Sequence, residues 1–181
     1  MQASWRRRIP EHSGPPAEKP MPTDIRPSPR LAVLYGGFVA GSLDILAAAL
    51  INRVDPLIIL RAIASGLLGR AAFQGGLPVA ALGLLLQWAM SLLIAAIFVF
   101  AAGRMAWLGR RWIAAGLLYG MPVFVVMEYV VVPLSAAAKP HFSALSLVEN
   151  LLAMLLFGLI VAFFARGIRP RSPPDQVRGR L

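Results

Sequence analysis

Residues 31–76, LAVLYGGFVAGSLDILAAALINRVDPLIILRAIASGLLGRAAFQGG, decide the fold of this chain. The apolar run at their start, residues 31–51, can cross the ~30 Å hydrocarbon core of a bilayer at about 1.5 Å of helix per residue. An acid, Asp44, lies inside this run, on the same helical face as Gly37 and Gly41. Because an ionised carboxylate among lipid chains is costly, other helices must surround Asp44 with protein or water.

The second apolar segment of this stretch begins with a helix start signal. Asp55 can cap the helix while Pro56 takes its first position. Only eight residues separate Arg61 from Arg70, which is too few to cross a bilayer. The pattern therefore predicts a re-entrant or interfacial helix over residues 56–73.

The composition is typical of an integral membrane protein. Of the 181 residues, 58% are hydrophobic and 14% are charged, against about 45–50% and about 25% in soluble domains. The mean hydropathy is +0.70. The net charge is +10, but the basic residues flank apolar runs, which argues against a nucleic-acid surface. Since cysteine is absent, disulfides and thiolate chemistry are excluded.

The apolar runs predict an all-α, polytopic integral membrane protein with four transmembrane helices in addition to the re-entrant or interfacial helix. The four spans are residues 31–51, 77–102, 113–134 and 147–165, and together with helix 56–73 they form one transmembrane domain, 31–165. The flanking segments 1–30 and 166–181 are basic and contain proline, which predicts disordered tails.

The distribution of Lys and Arg predicts the orientation. Fourteen of the 18 lie in the two tails and in the connection 103–112, and four lie on the other side. By the positive-inside rule, both termini are expected in the cytoplasm.

Small residues at helical spacing predict close helix packing, because they let two backbones approach. The glycines concerned are Gly37, Gly41, Gly83, Gly116 and Gly120. The GxxxG of Gly37 and Gly41 also offers a dimer seam, so a homo-oligomer remains an alternative.

Seven polar side chains are expected to form an intramembrane cluster near the outer surface. They are Asp44, Arg61, Arg70, Gln87, Glu128, Glu149 and Asn150. Asp44 lies about 19 Å and Glu128 about 22 Å along their spans, which places both in the outer half. We expect Arg61 or Arg70 to neutralise one of these acids, whereas a carboxylate left unpaired would be protonated.

The cytoplasmic parts of the second, third and fourth spans, residues 92–102, 113–123 and 155–165, contain no ionisable side chain except Tyr119. A proton or ion relay normally needs polar groups on both sides of the midplane. The polar cluster is therefore predicted not to continue to the cytoplasmic side, which favours a structural role or a pocket for a small polar ligand of unknown identity. The alternatives are a proton-coupled or small-solute transporter acting as an oligomer and, third, a membrane-embedded hydrolase that uses an acid pair.

Cofactor and metal chemistry have little support. His12 lies in the first tail and His141 in a loop, and there is no HExxH motif and no Gly-rich phosphate loop of recognised form. We predict no catalytic residue, no cofactor, no metal and no nucleic-acid partner. The lipid bilayer is the expected partner.

The second half of the chain resembles a known family. Residues 114–171, AAGLLYGMPVFVVMEYVVVPLSAAAKPHFSALSLVENLLAMLLFGLIVAFFARGIRPR, combine a GxxxG, a VVPL before a short loop, and Glu149 with Asn150 at the start of the last span. They resemble the YagU-like family of uncharacterised bacterial inner-membrane proteins. GSLDILAAAL followed by ASGLLGRAAFQGG is similar to a broader group of small bacterial membrane proteins.

The resemblance implies a bacterial inner-membrane protein with about four helices and no assigned activity. The resemblance also implies that this chain departs from the family pattern, because relatives often carry histidine in the second and fourth helices where this chain has Gln87 and Met154. A proton or metal function of such histidines would not carry over to this chain.

Overall fold

The computed structural model describes residues 28–136 and 144–168, and helices make up nearly all of this part of the chain. The α-helices are α1 Pro29–Asn52, α2 Pro56–Leu68, α3 Leu77–Ala102, α4 Ala106–Arg110, α5 Trp112–Val126, α6 Val132–Leu134 and α7 Ala144–Ala165. A 3-10 segment, Gly69–Gln74, continues α2, and a π-helical turn, Met127–Val131, joins α5 to α6. The prediction of an all-helical chain is confirmed for the described residues.

The start of α2 follows from its sequence. The Asp55 side chain accepts a hydrogen bond from the Leu57 N–H at 2.7 Å, and Pro56 takes the first helical position. These interactions suit a helix start, since the first N–H groups have no partner within the helix. Arg53, with φ 54°, ends α1 in the left-handed conformation, and its N–H bonds back to the carbonyls of the last turn.

Helices α1 and α3 run antiparallel. Gly37 lies against Leu92, and Asp44, further along α1, bonds Gln87, which comes earlier in α3. Consequently, α3 begins at the end of the bundle where α1 finishes. The chain through α2 and the 3-10 segment must therefore leave and return to that same end.

Two apolar clusters mark the two ends of the bundle. One brings the start of α1 together with the ends of α3 and α7, through Ala32, Ala102 and Ala165. The other joins the later part of α1 to α2 and the start of α3, through Ile45, Leu60 and Ala80. We call the first the arginine end, because Arg30, Arg104 and Arg166 lie beside it, and the second the α2 end.

The predicted third span is not one regular α-helix. Its helical segments cover Trp112–Leu134, but the π-helical turn interrupts them. Pro133 supplies the reason, because its ring would clash with the carbonyl of residue 129 in a regular α-helix, and Tyr129 lies in the π turn. A wider turn moves that carbonyl aside.

Five helical segments are long and apolar enough to cross a membrane: Pro29–Asn52, Pro56–Gln74, Leu77–Ala102, Trp112–Leu134 and Ala144–Ala165. Large apolar side chains also point outward from the bundle; Leu85 is 62% and Phe100 65% exposed. A bundle in water would bury such residues, so both features favour a lipid environment.

Two boundaries differ from the sequence prediction. Helix α1 begins at Pro29, inside the predicted first tail, because proline is well suited to the first helical position. Helix α7 begins at Ala144, earlier than the predicted residue 147. The rest of both predicted tails, apart from residues 28 and 166–168, and the loop with Lys139 and His141 lie outside the described residues.

Candidate functional site: two carboxyl–amide pairs

Asp44 on α1 and Gln87 on α3 form the first polar pair within the helices. The Gln87 side-chain amide donates to Asp44 Oδ2 at 2.8 Å and approaches the Gly41 carbonyl at 3.4 Å. The antiparallel register of α1 and α3 positions both groups, because each lies on the face that packs against the other helix. The hydrogen bond therefore ties α1 to α3.

Glu128 and Asn150 form the second pair. The Asn150 amide on α7 donates to Glu128 Oε1 at 3.1 Å. Glu128 lies in the π-helical turn, and both side chains are half-buried. This hydrogen bond ties the third predicted span to α7, as the first pair ties α1 to α3.

The expected ion pairs do not form among residues 28–136 and 144–168, and in this respect the prediction was wrong. Asp44 and Glu128 each bond an amide instead of a guanidinium. Arg70 is exposed in the 3-10 segment, and Arg61 is half-buried with its Nε atom buried and without a hydrogen bond. Arg61 lies in α2 and Arg70 in the 3-10 segment that continues it, whereas the donors that reach the two acids lie on α3 and α7.

The structure thus divides the predicted cluster of seven. Four of its members form the two carboxyl–amide pairs, and Arg61 and Arg70 take part in neither pair. Glu149 is half-buried on α7, and its side chain makes no hydrogen bond to the described part of the chain.

A small cavity lies beside Asp44, between α1 and α7. Its volume is about 10 Å³, and apart from Asp44 its lining is apolar, with Leu43, Leu156 and Phe157 among the residues. A space of this size holds at most one water molecule. This cavity is therefore too small to admit a solute larger than water.

The predicted packing glycines lie at contacts between helices of the same chain. Gly37 and Gly41 face Leu92 and Ser91 of α3, so that within one chain α3 already occupies the face considered for a dimer. Gly83 meets the backbone of Leu60 on α2.

Gly116 and Gly120 pack on α7, where Gly158 lies against both of them. Gly158 was not among the predicted packing glycines, although it lies eight residues after Asn150 in an otherwise bulky helix. Where helices have only lipid as an alternative neighbour, such close backbone contacts are a main source of association.

Two further polar contacts were not predicted. The Trp88 indole N–H donates to the Ser42 hydroxyl at 3.3 Å, again between α1 and α3. The Tyr119 hydroxyl donates to the Ile94 carbonyl at 2.8 Å and so joins α5 to α3. A tyrosine or tryptophan inside an apolar run is a usable signal, because its polar atom needs a partner when buried.

No group of three or more His, Cys, Asp or Glu side chains that could hold a metal occurs within residues 28–136 and 144–168. Among the described residues, Asp44 and Glu128 each bond an amide, and neither bonds a second carboxylate or a histidine, the partners with which acid–base hydrolysis usually works. The arrangement can hold helices in register, and each carboxyl group can carry a proton.

Fold and site together define an all-helical protein whose apolar helices favour a membrane location. No protein-family model, curated protein or solved structure matches the chain. The YagU-like resemblance therefore remains a prediction. At the two positions where that resemblance implies histidine in relatives, Gln87 bonds Asp44 and the Met154 backbone lies against Gly120.

Proposed function

We propose that this chain is a non-enzymatic integral membrane protein of a bacterial inner membrane, in which the two carboxyl–amide pairs hold the helices in register. The observation that carries the proposal is that Asp44 and Glu128 each accept a hydrogen bond from a side-chain amide on a neighbouring helix. In an apolar medium, a satisfied interhelical pair favours one packing arrangement over its shifted alternatives.

Transport receives less support from the geometry. The cavity at Asp44 has room for one water. In the cytoplasmic parts of α3, α5 and α7, residues 92–102, 113–123 and 155–165, Tyr119 is the one ionisable side chain, and its hydroxyl already donates to a carbonyl. A relay through these groups would need further polar side chains in this half.

The structural role predicts a loss of stability when an amide donor is removed. Gln87→Leu leaves the Asp44 carboxyl without its donor, and we expect the free energy of unfolding in mixed micelles to fall by about 1 kcal/mol. Asn150→Leu should have a similar effect. Because the two pairs lie on different helix contacts, the double variant should lose about 2 kcal/mol.

Matched controls exist for both substitutions. Gln74 is exposed, and Asn52 bonds only the Ala48 carbonyl of its own helix. Gln74→Leu and Asn52→Leu should change stability by less than about 0.5 kcal/mol. Equal losses in test and control variants would argue against the structural role, as would pH-dependent flux in vesicles that disappears with Asp44→Asn or Glu128→Gln.

We further propose four crossings, with α2 and its 3-10 extension as an interfacial or re-entrant segment and the arginine end in the cytoplasm. The antiparallel contact of α1 with α3 supports an α2 segment that does not cross the membrane, since the chain between α1 and α3 returns to the end from which it left. The excess of basic residues at the arginine end supports its location in the cytoplasm.

Single cysteines can test this topology, because the chain has none of its own. Asn52 and Gln74 flank the α2 segment, Arg104 follows α3, and all three are exposed. With an impermeant maleimide added outside spheroplasts, we expect Asn52→Cys and Gln74→Cys to react and Arg104→Cys to react only after permeabilisation. If Asn52→Cys and Gln74→Cys reacted from opposite sides, α2 would cross the membrane and the proposal would be wrong.

A further inference from the structure

A groove about 420 Å³ in volume runs along the outside of the bundle between α1, α5 and α7. The lining consists only of apolar side chains, namely Val39, Trp112, Ile113, Leu159, Ile160, Phe163 and Phe164. Its volume is within the range of small-molecule sites, ~300–1,000 Å³. The lining lacks the polar groups that orient a polar ligand, so the part of any occupant that lies here is apolar.

The groove reaches the arginine end of the bundle. Trp112 is the first residue of α5 and directly follows Arg111, which is exposed. Phe163 lies at the end of α7, and the Arg166 guanidinium stacks 3.8 Å above its ring. An apolar surface thus continues directly into exposed positive charge.

The acidic residues of the described chain are confined to one end of the bundle, whereas arginines occur at both ends. The described arginines at the arginine end are Arg30, Arg104, Arg110, Arg111 and Arg166. The acids of the described residues, Asp44, Asp55, Glu128 and Glu149, all lie toward the α2 end. No carboxylate of the described chain is therefore placed to neutralise the arginines beside the groove.

We propose that this groove binds an anionic phospholipid, with one acyl chain along its apolar lining and the phosphate head group at Arg111 and Arg166. The inference rests on the proposed membrane embedding. Basic side chains beside crevices between helices at the cytoplasmic surface suit anionic head groups. The tryptophan at the mouth suits the boundary between acyl chains and head groups.

A second copy of the chain fits this surface less well. In a twofold symmetric dimer, the same patch of each subunit faces its equivalent. The arginine clusters of the two copies would then be brought close together, and like charges at an interface are unfavourable. An anionic lipid neutralises the same charges.

Tryptophan fluorescence can test the proposal, because Trp112 lines the groove. The full-length chain with Trp5, Trp88 and Trp107 changed to phenylalanine is reconstituted into phosphatidylcholine vesicles. Brominated phosphatidylglycerol or brominated phosphatidylcholine is then added at equal mole fraction. We expect quenching of Trp112 to report a relative affinity at least about fivefold higher for phosphatidylglycerol, the effect of about one basic residue near an anionic lipid surface.

Removing the proposed head-group contacts should abolish this preference. In the double variant Arg111→Gln/Arg166→Gln, both lipids should quench Trp112 to a similar extent, and 0.5 M salt should weaken the preference in the parent protein. The matched control is Arg53→Gln/Arg70→Gln, which removes two exposed arginines toward the α2 end. It should leave the preference unchanged.

The outcomes separate the two proposals. If the protein leaves the vesicles on an alkaline wash, the membrane embedding itself fails. If the protein stays embedded but both lipids quench Trp112 equally in the parent, the site does not select anionic lipid. If neither lipid quenches Trp112 in the embedded protein, the groove is covered by protein. Either of the last two results overturns the lipid proposal alone.

Discussion

Replacing Gly158 by alanine is expected to lower the free energy of unfolding by about 2 kcal/mol, although alanine is the better helix former by about 1 kcal/mol. A β-carbon at this position would overlap the Gly116 carbonyl oxygen and would lie 3.0 Å from Gly120 N and 3.1 Å from Gly120 Cα. These are backbone atoms, so no side-chain rotation can relieve the contact. Helices α5 and α7 must separate, and the contacts between them weaken along their length.

The measurement is unfolding in mixed micelles, with Gly103→Ala as the matched control. Gly103 follows α3 in a right-handed helical conformation, and the nearest atoms to its added β-carbon, Phe100 O and Val99 O, lie 3.5 Å away. This variant should match or exceed the stability of the parent. If Gly158→Ala proved as stable as Gly103→Ala, the α5–α7 seam would not be as tight as described.

Gly83→Ala is expected to detach α2 from α3. Its β-carbon would overlap the Leu60 carbonyl oxygen and lie 2.7 Å from the Leu60 carbonyl carbon. Because Leu60 belongs to the rigid backbone of α2, the whole helix must move away. The variant should lose about 2 kcal/mol of local stability through this misfit.

A cysteine at residue 64 can report this movement. Ala64 lies one turn after Leu60 on the same face of α2 and is 0% exposed. In an Ala64→Cys background, Gly83→Ala should raise the rate of thiol labelling at least about tenfold, because a loss of 2 kcal/mol increases the open fraction by more than that.

The control for this experiment is Gly76→Ala. Gly76 precedes α3, and its added β-carbon would come no closer than 3.7 Å, to Pro78 Cδ. Labelling of Ala64→Cys should stay slow in that variant. Fast labelling already in the parent would mean that α2 does not stay packed on α3.

These predictions concern glycines because packing inside an apolar medium depends on them. Exposed leucines and phenylalanines cover the outside of the bundle. Exchanging a lipid neighbour for another helix changes their free energy little, because both neighbours are apolar. Close backbone approach and the few interhelical hydrogen bonds therefore discriminate between arrangements. In the proposed role, the two carboxyl–amide pairs fix the register although each is worth only about 1 kcal/mol, because few other interactions distinguish one arrangement from another.

Much of the helical architecture could be predicted from local sequence. Residues 77–102 form one helix because they are predominantly apolar, with Gln87 and Ser91 as the polar exceptions, and lie between Gly76 and Gly103. Asp55 and Pro56 start α2 through contacts with their immediate neighbours. Helix formation and helix ends depend on residues a few positions apart, so they can be read without knowledge of the fold.

The partners of the buried acids could not be predicted in this way. From the sequence, Arg61 and Arg70 were the natural counterions for Asp44, because opposite charges give the strongest attraction in an apolar medium. The register and the facing sides of α1 and α3 bring Gln87 to Asp44 instead, 43 residues away in the chain. The sequence by itself determined where the helices and their acids lie; only the tertiary structure decided which donors meet them, because that depends on how separate helices are aligned and rotated against one another.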